Sequence, residues 1–381
     1  MNYSDRIARL RDILRTEGVD LIFLPISADL QYLTGIQRDM PNFGMTLYPG
    51  RWLEGAFIGA DAGPIITLPR MTAEFHAPKG EIGEMRVLPD HSDPVQFAKD
   101  VLAAFKLGDK AKIAIGNYAW AETVVGLQGL LPGATFIKGT DLVRKLRLIK
   151  SPDEIEVMRR AGAVTEAAFA ETLKWLRIGM TEVEICAEVD LQLRKHGALG
   201  PSFTTAMYNS GPNRPVALGH ENTLRNAPLV APVALLFDFG AAYEGYCYDY
   251  GRTVFFGEPD AEMMHVFNTI MAAQAAGIAA LKAGAATCQD ADRAARQVVI
   301  EEGYGPGFRH RLGHGIGLDV HEPPFLTESD TTPLQDGMAF TVEPSIFAPS
   351  NYAARIEDIV IARLGGGEPL TRGWLELTIV S

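Results

Sequence analysis

Residues 235–253 read LLFDFGAAYEGYCYDYGRT, and they decide how the second half of the chain is understood. Two hydrophobic runs, 233–237 and 246–248, flank a short loop holding Tyr243, Glu244 and Gly245. Aliphatic and aromatic runs around a small glycine-bearing loop predict a β-hairpin. Each arm carries one aspartate, Asp238 and Asp249, in otherwise apolar surroundings. A carboxylate withdrawn from water is costly unless it is paired or binds a metal, and two on adjoining strands also repel each other. Either aspartate alone reads equally well as a turn cap. The pair predicts a cation between them.

A dication takes more than two ligands, and three later stretches offer them. RLGHGIGLDVHE (311–322) holds His314 and His321 seven positions apart, FTVEP (340–344) ends an apolar run in Glu343, and ARIEDIV (354–360) sets Glu357 in a strand-like run. Arg355 stands two residues before Glu357 and so on the same face of a strand. Two aspartates, one histidine and two glutamates make an oxygen-rich set that suits Mn²⁺, Co²⁺, Fe²⁺ or Zn²⁺. Five such ligands with bridging carboxylates suffice for two ions roughly 3.5–4 Å apart.

The order of these motifs (Asp, a second Asp eleven positions on, GHGIGLxVHE, VEP, RIED) resembles the pita-bread metallopeptidases. Within them it resembles the proline-specific branch, the Xaa-Pro dipeptidases (prolidases) and Xaa-Pro aminopeptidases. The motifs cover about Ser202 to Val360, and the flanking sequence fits the family's amino-terminal domain. The resemblance implies an α/β amino-terminal domain over residues 1–147 and an α+β pita-bread (creatinase/aminopeptidase-like) catalytic domain over residues 148–381. It implies two divalent metal ions per chain on Asp238, Asp249, His314, Glu343 and Glu357, manganese first, with cobalt, zinc or iron as alternatives. It further implies a small peptide substrate and a homodimer in which one subunit's amino-terminal domain commonly reaches toward the other's active site.

The implied reaction is hydrolysis of the bond preceding proline in Xaa-Pro dipeptides or short peptides, by a metal-bridged hydroxide with Glu343 as general base. His321 and His220 become substrate-facing donors to the carbonyl and the tetrahedral intermediate. Arg355 becomes a holder of the substrate carboxylate or of the metal carboxylates. Read alone, His220 lies in a Gly/Pro/Asn-rich loop and looks solvated, and the resemblance reverses that. His321 alone reads also as a structural residue at an element end. The chain departs from the family at three places. Gly251 stands where DITRT has its first Thr, and Ser345 and Phe347 stand where Gly and Tyr are more frequent. These changes leave the ligands intact and bear on proline specificity.

Two alternatives share the fold. One is a hydrolase of a small non-peptide C–N bond, creatinase-like or ectoine-hydrolase-like, or a lyase; the other is a non-catalytic binding module. Creatinases do without the metal set and the binding modules have typically lost it. The complete set of five ligands therefore puts the metallopeptidase first.

Composition agrees. A chain of 381 residues is too long for one ordinary core and predicts two domains. A net charge of −12 argues against a nucleic-acid partner. Cys186, Cys247 and Cys288 are widely spaced and lack CxxC spacing, which argues against a disulfide framework and fits a reducing cytoplasm. The start, MNYSDRIARLRDILRTEG, reads as a charged amphipathic segment, not a signal peptide. No run approaches the roughly 20 apolar residues that cross a bilayer, so a soluble protein with no membrane partner is expected.

Along the chain, Ser4 is expected to cap a helix with Ile7, Leu10 and Leu14 on one face, ending at Gly18. Strands are expected at 21–24, 56–58, 64–68, 112–115 and 135–137, and helices at 93–105 and 122–131. His76 and His91 read as surface residues. Ser151-Pro152-Asp153-Glu154 is a capping box that opens a long helix with Ile155, Met158, Gly162 and Phe169 on one face, and the domain boundary falls just before it, near 145–150. Thr181 and Glu184 make a second box, for a helix ending at His196-Gly197, where His196 compensates the helix charge. Two Ala-rich helices are expected near 262–281 and 287–302.

Overall fold

The computed structural model describes residues 1–38, 48–75, 83–88, 90–91, 93–212, 216, 226–347 and 352–380. They fall into two units, Met1–Leu148 and Ile149–Ser381. In the first, helices and strands alternate: α1 (Tyr3–Thr16), β1 (Leu21–Pro25), α2 (Ala28–Thr34), β2 (Gly55–Gly59), β3 (Ile65–Pro69), α3 (Arg70–Phe75), β4 (Glu84–Leu88), α4 (Pro94–Ala103), β5 (Lys112–Ile115), α5 (Ala121–Leu130), β6 (Thr135–Lys138) and α6 (Thr140–Arg147). The strands form one sheet in the order β4-β3-β2-β1-β5-β6. β1 is buried along its whole length, which is why it reads as the unbroken apolar run LIFLP rather than alternating.

Asn2, not Ser4, caps α1, its side chain accepting from the Asp5 N–H. Ile7, Leu10 and Leu14 are buried as their spacing predicts. α4 stops at Ala103, short of Phe105. His91 is exposed, and His76 lies outside the described residues.

The second unit begins with α7 (Pro152–Trp175), whose capping box is reciprocal: the Ser151 hydroxyl accepts from the Glu154 N–H and the Glu154 carboxylate from the Ser151 N–H. Thr181 and Glu184 do the same for α8 (Glu182–Lys195), which His196 ends. Gly162 lets α7 sit against Tyr248, because a Cβ there would come within 2.8 Å of the tyrosine ring. Then follow β7 (Gly200–Pro201), β8 (Ala206–Ser210), β9 (Val233–Phe239), β10 (Ala241–Tyr243), β11 (Tyr246–Cys247), β12 (Tyr250–Phe256), α9 (Ala261–Ala280), α10 (Cys288–Glu301), β13 (Gly313–Gly315), β14 (Glu322–Leu326), β15 (Ala339–Val342), β16 (Ser345–Phe347), β17 (Ala353–Arg355), β18 (Asp358–Ile361), β19 (Glu368–Pro369) and β20 (Thr378–Val380).

Two sheets dominate, β20-β12-β9-β8 and β14-β13-β15-β18-β19. A helix pair followed by strands thus occurs twice in the chain order. The expected hairpin is nested. β9 and β12 run antiparallel with Asp238 opposite Gly251, while β10 and β11 close the tip around Glu244 and Gly245, both at positive φ. Asp249 falls in the break between β11 and β12, not within a strand arm as expected. The two sheets are bridged where Gly251 and Glu357 exchange backbone hydrogen bonds of 3.3 and 2.9 Å. No helix among the described residues is long and apolar enough to cross a membrane.

Candidate metal centre

Strand ends deliver the acidic side chains to one place. Asp238 lies opposite Gly251 across the β9–β12 pair, and Asp249 stands just before β12. Glu343 directly follows β15 and Glu357 directly precedes β18, whose pairing sets Val342 against Asp358. The Gly251–Glu357 bridge then brings the aspartate sheet to the glutamate sheet. Asp238, Asp249, His314, Glu343 and Glu357 line one cavity of about 520 Å³, together with Arg355 and His321. His220 lies outside the described residues.

His314 is oriented by its neighbours. Its Nδ1 is 3.0 Å from the Gly315 carbonyl, which fixes the proton on Nδ1 and turns the Nε2 lone pair toward Asp249 (3.6 Å) and Glu343 (3.4 Å). The Thr341 hydroxyl accepts from the His314 N–H at 3.0 Å and donates to Glu343 at 3.2 Å, tying the two residues together. One ligand atom from each of Asp249, His314 and Glu357 lies within 4.8 Å of the others.

The charges do not balance among these residues. Burial, followed by Asp249 and the other carboxylates, pushes Glu357 well above its ordinary range. Burial likewise pushes Asp238 up to about 7 against the pull of Arg355. Glu343, although burial raises it, is held below its ordinary value by Arg355 and His314. One oxygen of Asp249 (Oδ1) and one of Glu357 (Oε2) are buried without a hydrogen-bond partner. Orphaned buried carboxylate oxygens are costly. A divalent cation answers both the charge and the empty lone pairs, so the donor set fits the metal the sequence predicts.

Arg355 is aimed at the cluster. It contacts Asp238, lies 3.5 Å from Glu343 and 3.7 Å from Glu357, and its Nε donates to the Ser345 hydroxyl at 2.7 Å. Two of the three family departures now have a physical setting. A Cβ on Gly251 would come within 2.8 Å of Arg355 Cδ and 2.9 Å of Glu357 Cβ, so the missing side chain makes room for the arginine. Ser345 supplies the hydroxyl that holds it. The third, Phe347, packs edge-on against Tyr208 and His310, with ring centroids 5.9 and 6.3 Å away.

His321 is exposed, and its ring stands edge-on to His314 with centroids 4.1 Å apart. It lines the cavity without joining the ligand cluster. Sequence pattern alone misses His310, which sits between two arginines and therefore looks solvated. The ring is in fact held deep in the same cavity. Its Nδ1 donates to the Arg311 carbonyl at 2.6 Å, and its Nε2 is buried with no hydrogen-bond partner. Burial and then Arg355 hold His310 below its ordinary value, so a neutral ring presents an acceptor to the cavity. The only sequence signal was its place one helical turn's length before His314, which has no force in a strand context.

A buried carboxylate and imidazole cluster open to a cavity is the architecture of a metal-dependent hydrolase. Residues 156–363 match the metallopeptidase family M24, and residues 6–149 match the creatinase/prolidase N-terminal domain. The chain belongs to metallopeptidase family M24, a family whose centres are typically dinuclear. It is 31% identical to a Xaa-Pro dipeptidase of Lactobacillus delbrueckii subsp. lactis over 98% of each chain. Among solved structures it is similar to the Xaa-Pro dipeptidase of Bacillus anthracis, with a TM-score of 0.84 and 30% identity over the full length of both chains. A dipeptidase of Pyrococcus horikoshii OT3 aligns with a TM-score of 0.86 and 28% identity, covering 98% of this chain and 100% of that one. The α/β amino-terminal domain and the α+β pita-bread domain expected from the motifs are thus the fold of this metallopeptidase.

Proposed function

We propose that the chain hydrolyses the peptide bond preceding proline in Xaa-Pro dipeptides or short peptides. The observation that carries this is the convergence of Asp249, His314 and Glu357, with Asp238 and Glu343, in one cavity of a chain whose relatives include Xaa-Pro dipeptidases. Asp238, Asp249, His314, Glu343 and Glu357 would hold two divalent ions, with manganese the first choice for so oxygen-rich a set. The bound ions supply Lewis acidity, polarising the scissile carbonyl and lowering the pKa of water.

The protein's own groups do the rest. Glu343 takes the proton from the attacking water as general base. Its hydrogen bond from Thr341 keeps one oxygen occupied, which aims the other. His321, exposed at the cavity wall, donates to the carbonyl oxygen as it gains charge, and His220 is assigned the same role by family resemblance. Arg355 orders the carboxylates it touches. The complete ligand set weighs against a creatinase-like reaction.

The expected result with metal-loaded protein is turnover of a Xaa-Pro dipeptide at least tenfold better than of the matching Xaa-Ala dipeptide, both followed by release of the free amino acid. Equal turnover of the two would remove proline from the proposal. A homodimer, expected from the resemblance, should scatter light at twice the mass of the chain at micromolar concentration, and a clean monomer mass would exclude it. A cytoplasmic location is consistent with Cys186, Cys247 and Cys288 forming no disulfide.

A further inference from the structure

β13 carries His314, and residues 316–321 then lead the chain through His321 into β14. The His321 ring meets His314 edge-on and, among the described residues, makes no hydrogen bond. Its place at the cavity wall is therefore set by the backbone of this turn. The turn is held from two sides. On one, the Cys247 N–H donates to the Gly317 carbonyl at 2.8 Å and the Cys247 thiol to the Leu318 carbonyl at 3.4 Å. On the other, Glu322 folds its side chain back over the turn. Its Oε1 accepts from the Asp319 N–H at 3.0 Å, and its Oε2 from Lys150 Nζ at 3.2 Å. The Lys150 and Glu322 side chains are only 4% and 8% exposed, and neither lines the cavity. A Cβ on Gly317 would come within 2.9 Å of Glu322 Oε1 and 3.1 Å of Lys150 Cε, so the glycine leaves room for the pair. Lys150 is itself fixed, its N–H donating at 2.9 Å to the carbonyl of Gly337, just ahead of β15.

We propose that Lys150 is a positioning residue for the reaction: by pairing with Glu322 it holds residues 316–321 in one arrangement, and with them the donor His321. This rests on the role given to His321 above. A buried ion pair adds little stability over apolar groups of similar size, but removing one partner leaves the other charge buried and unpaired. Without the ammonium, the Glu322 carboxylate is drawn toward water. The turn that it braces through the Asp319 N–H then moves with it. His314 is held separately, by the Gly315 carbonyl and the Thr341 hydroxyl, so the ligand cluster should stay in place.

The test places Lys150→Met and Lys150→Arg in the full-length, metal-loaded chain, each with and without His321→Ala, and follows cleavage of Ala-Pro. Lys150→Met should lower kcat about ten- to a hundredfold, the scale for a catalytic group displaced by about an ångström. Its KM should stay within a few-fold and its metal content unchanged. Lys150→Arg, which keeps the charge, should recover most of the loss. In the His321→Ala background, Lys150→Met should leave kcat within about twofold, because the group it positions is already gone. Losses that multiply instead, as they do for independent sites, overturn the proposal. So does a folded Lys150→Met that keeps wild-type kcat, or one that loses its metal. Should Lys150→Met fail to fold, Glu322→Gln carries the same comparison, since it keeps an acceptor for the Asp319 N–H and drops the charge. Hydrogen exchange reads the brace without any substrate. The backbone amides of 316–321 should exchange about tenfold faster or more in Lys150→Met, while those of 339–342 keep their rate. If no peptide is cleaved, the proposed reaction fails on its own, and unchanged exchange at 316–321 still sinks the brace.

Discussion

His314→Ala is expected to lose bound metal and turnover together, whereas His321→Ala keeps its metal and loses turnover alone. Among the described residues His314 is the one imidazole in the cluster, and its Nε2 stands 3.6 Å from Asp249 and 3.4 Å from Glu343. Removing it would take away a proposed ligand and the group that Thr341 aligns with Glu343. Loss of an outer partner of a metal site typically costs ten- to a hundredfold. Loss of a ligand should cost more, about a thousandfold or greater in turnover. His321 touches the same ring from the side but contributes no atom to the cluster. Its replacement would remove the oxyanion donor proposed above, at a cost on the order of 3 kcal/mol or about a hundredfold in kcat. Elemental analysis of the purified variants, beside kcat, separates the two roles. Metal content falling as far in His321→Ala as in His314→Ala would falsify the assignment.

The second large effect is on stability. Asp358→Ala should destabilise the catalytic unit by about 3–5 kcal/mol, the cost of leaving a buried charge without its partner. The charge is Arg252. Its Nη2 is 2.7 Å from Asp358 Oδ1, and both side chains are 3% exposed. Arg252 Nη1 also donates to the backbone carbonyls of Gly251 (2.8 Å) and Glu357 (2.7 Å), the two residues that join the sheets. Its guanidinium lies 3.9 Å from the centre of the Tyr250 ring. Asp358 is held in turn by Thr371 at 2.6 Å and Gln274 at 2.9 Å. Against a total stability of roughly 5–15 kcal/mol the loss is large. The exposed pair of Lys174 and Glu171 makes the control, since such pairs contribute about 0–1 kcal/mol. Urea unfolding measures both. If Asp358→Ala costs no more than that control, the buried pair does not support the junction.

The sequence by itself determined the features that depend on neighbours a few residues apart. The capping boxes at Ser151 and Thr181 are legible because a hydroxyl and a carboxylate three positions on satisfy each other's backbone donors within one turn. The candidate ligands are legible because a charged residue in an apolar run has few ways to be satisfied. Shorter elements such as α2, α3, β4 and α6 show too little periodicity to declare themselves, and the Asn2 cap displaced the expected Ser4 within a single turn.

Only the tertiary structure decided how the site is assembled. Arg252 and Asp358 stand 106 positions apart, and Asp238 and Arg355 117 apart. Nothing in either local pattern says that they meet. The Gly251–Glu357 bridge brings them together, and with it the meaning of Gly251, which is room for Arg355 and not merely a lost threonine. His310 and Arg311 look like one charged surface run until folding turns both into the cavity wall. The reason is physical: capping and periodicity act over a turn or a strand, whereas burial and charge balance depend on which distant strands the sheets bring into contact.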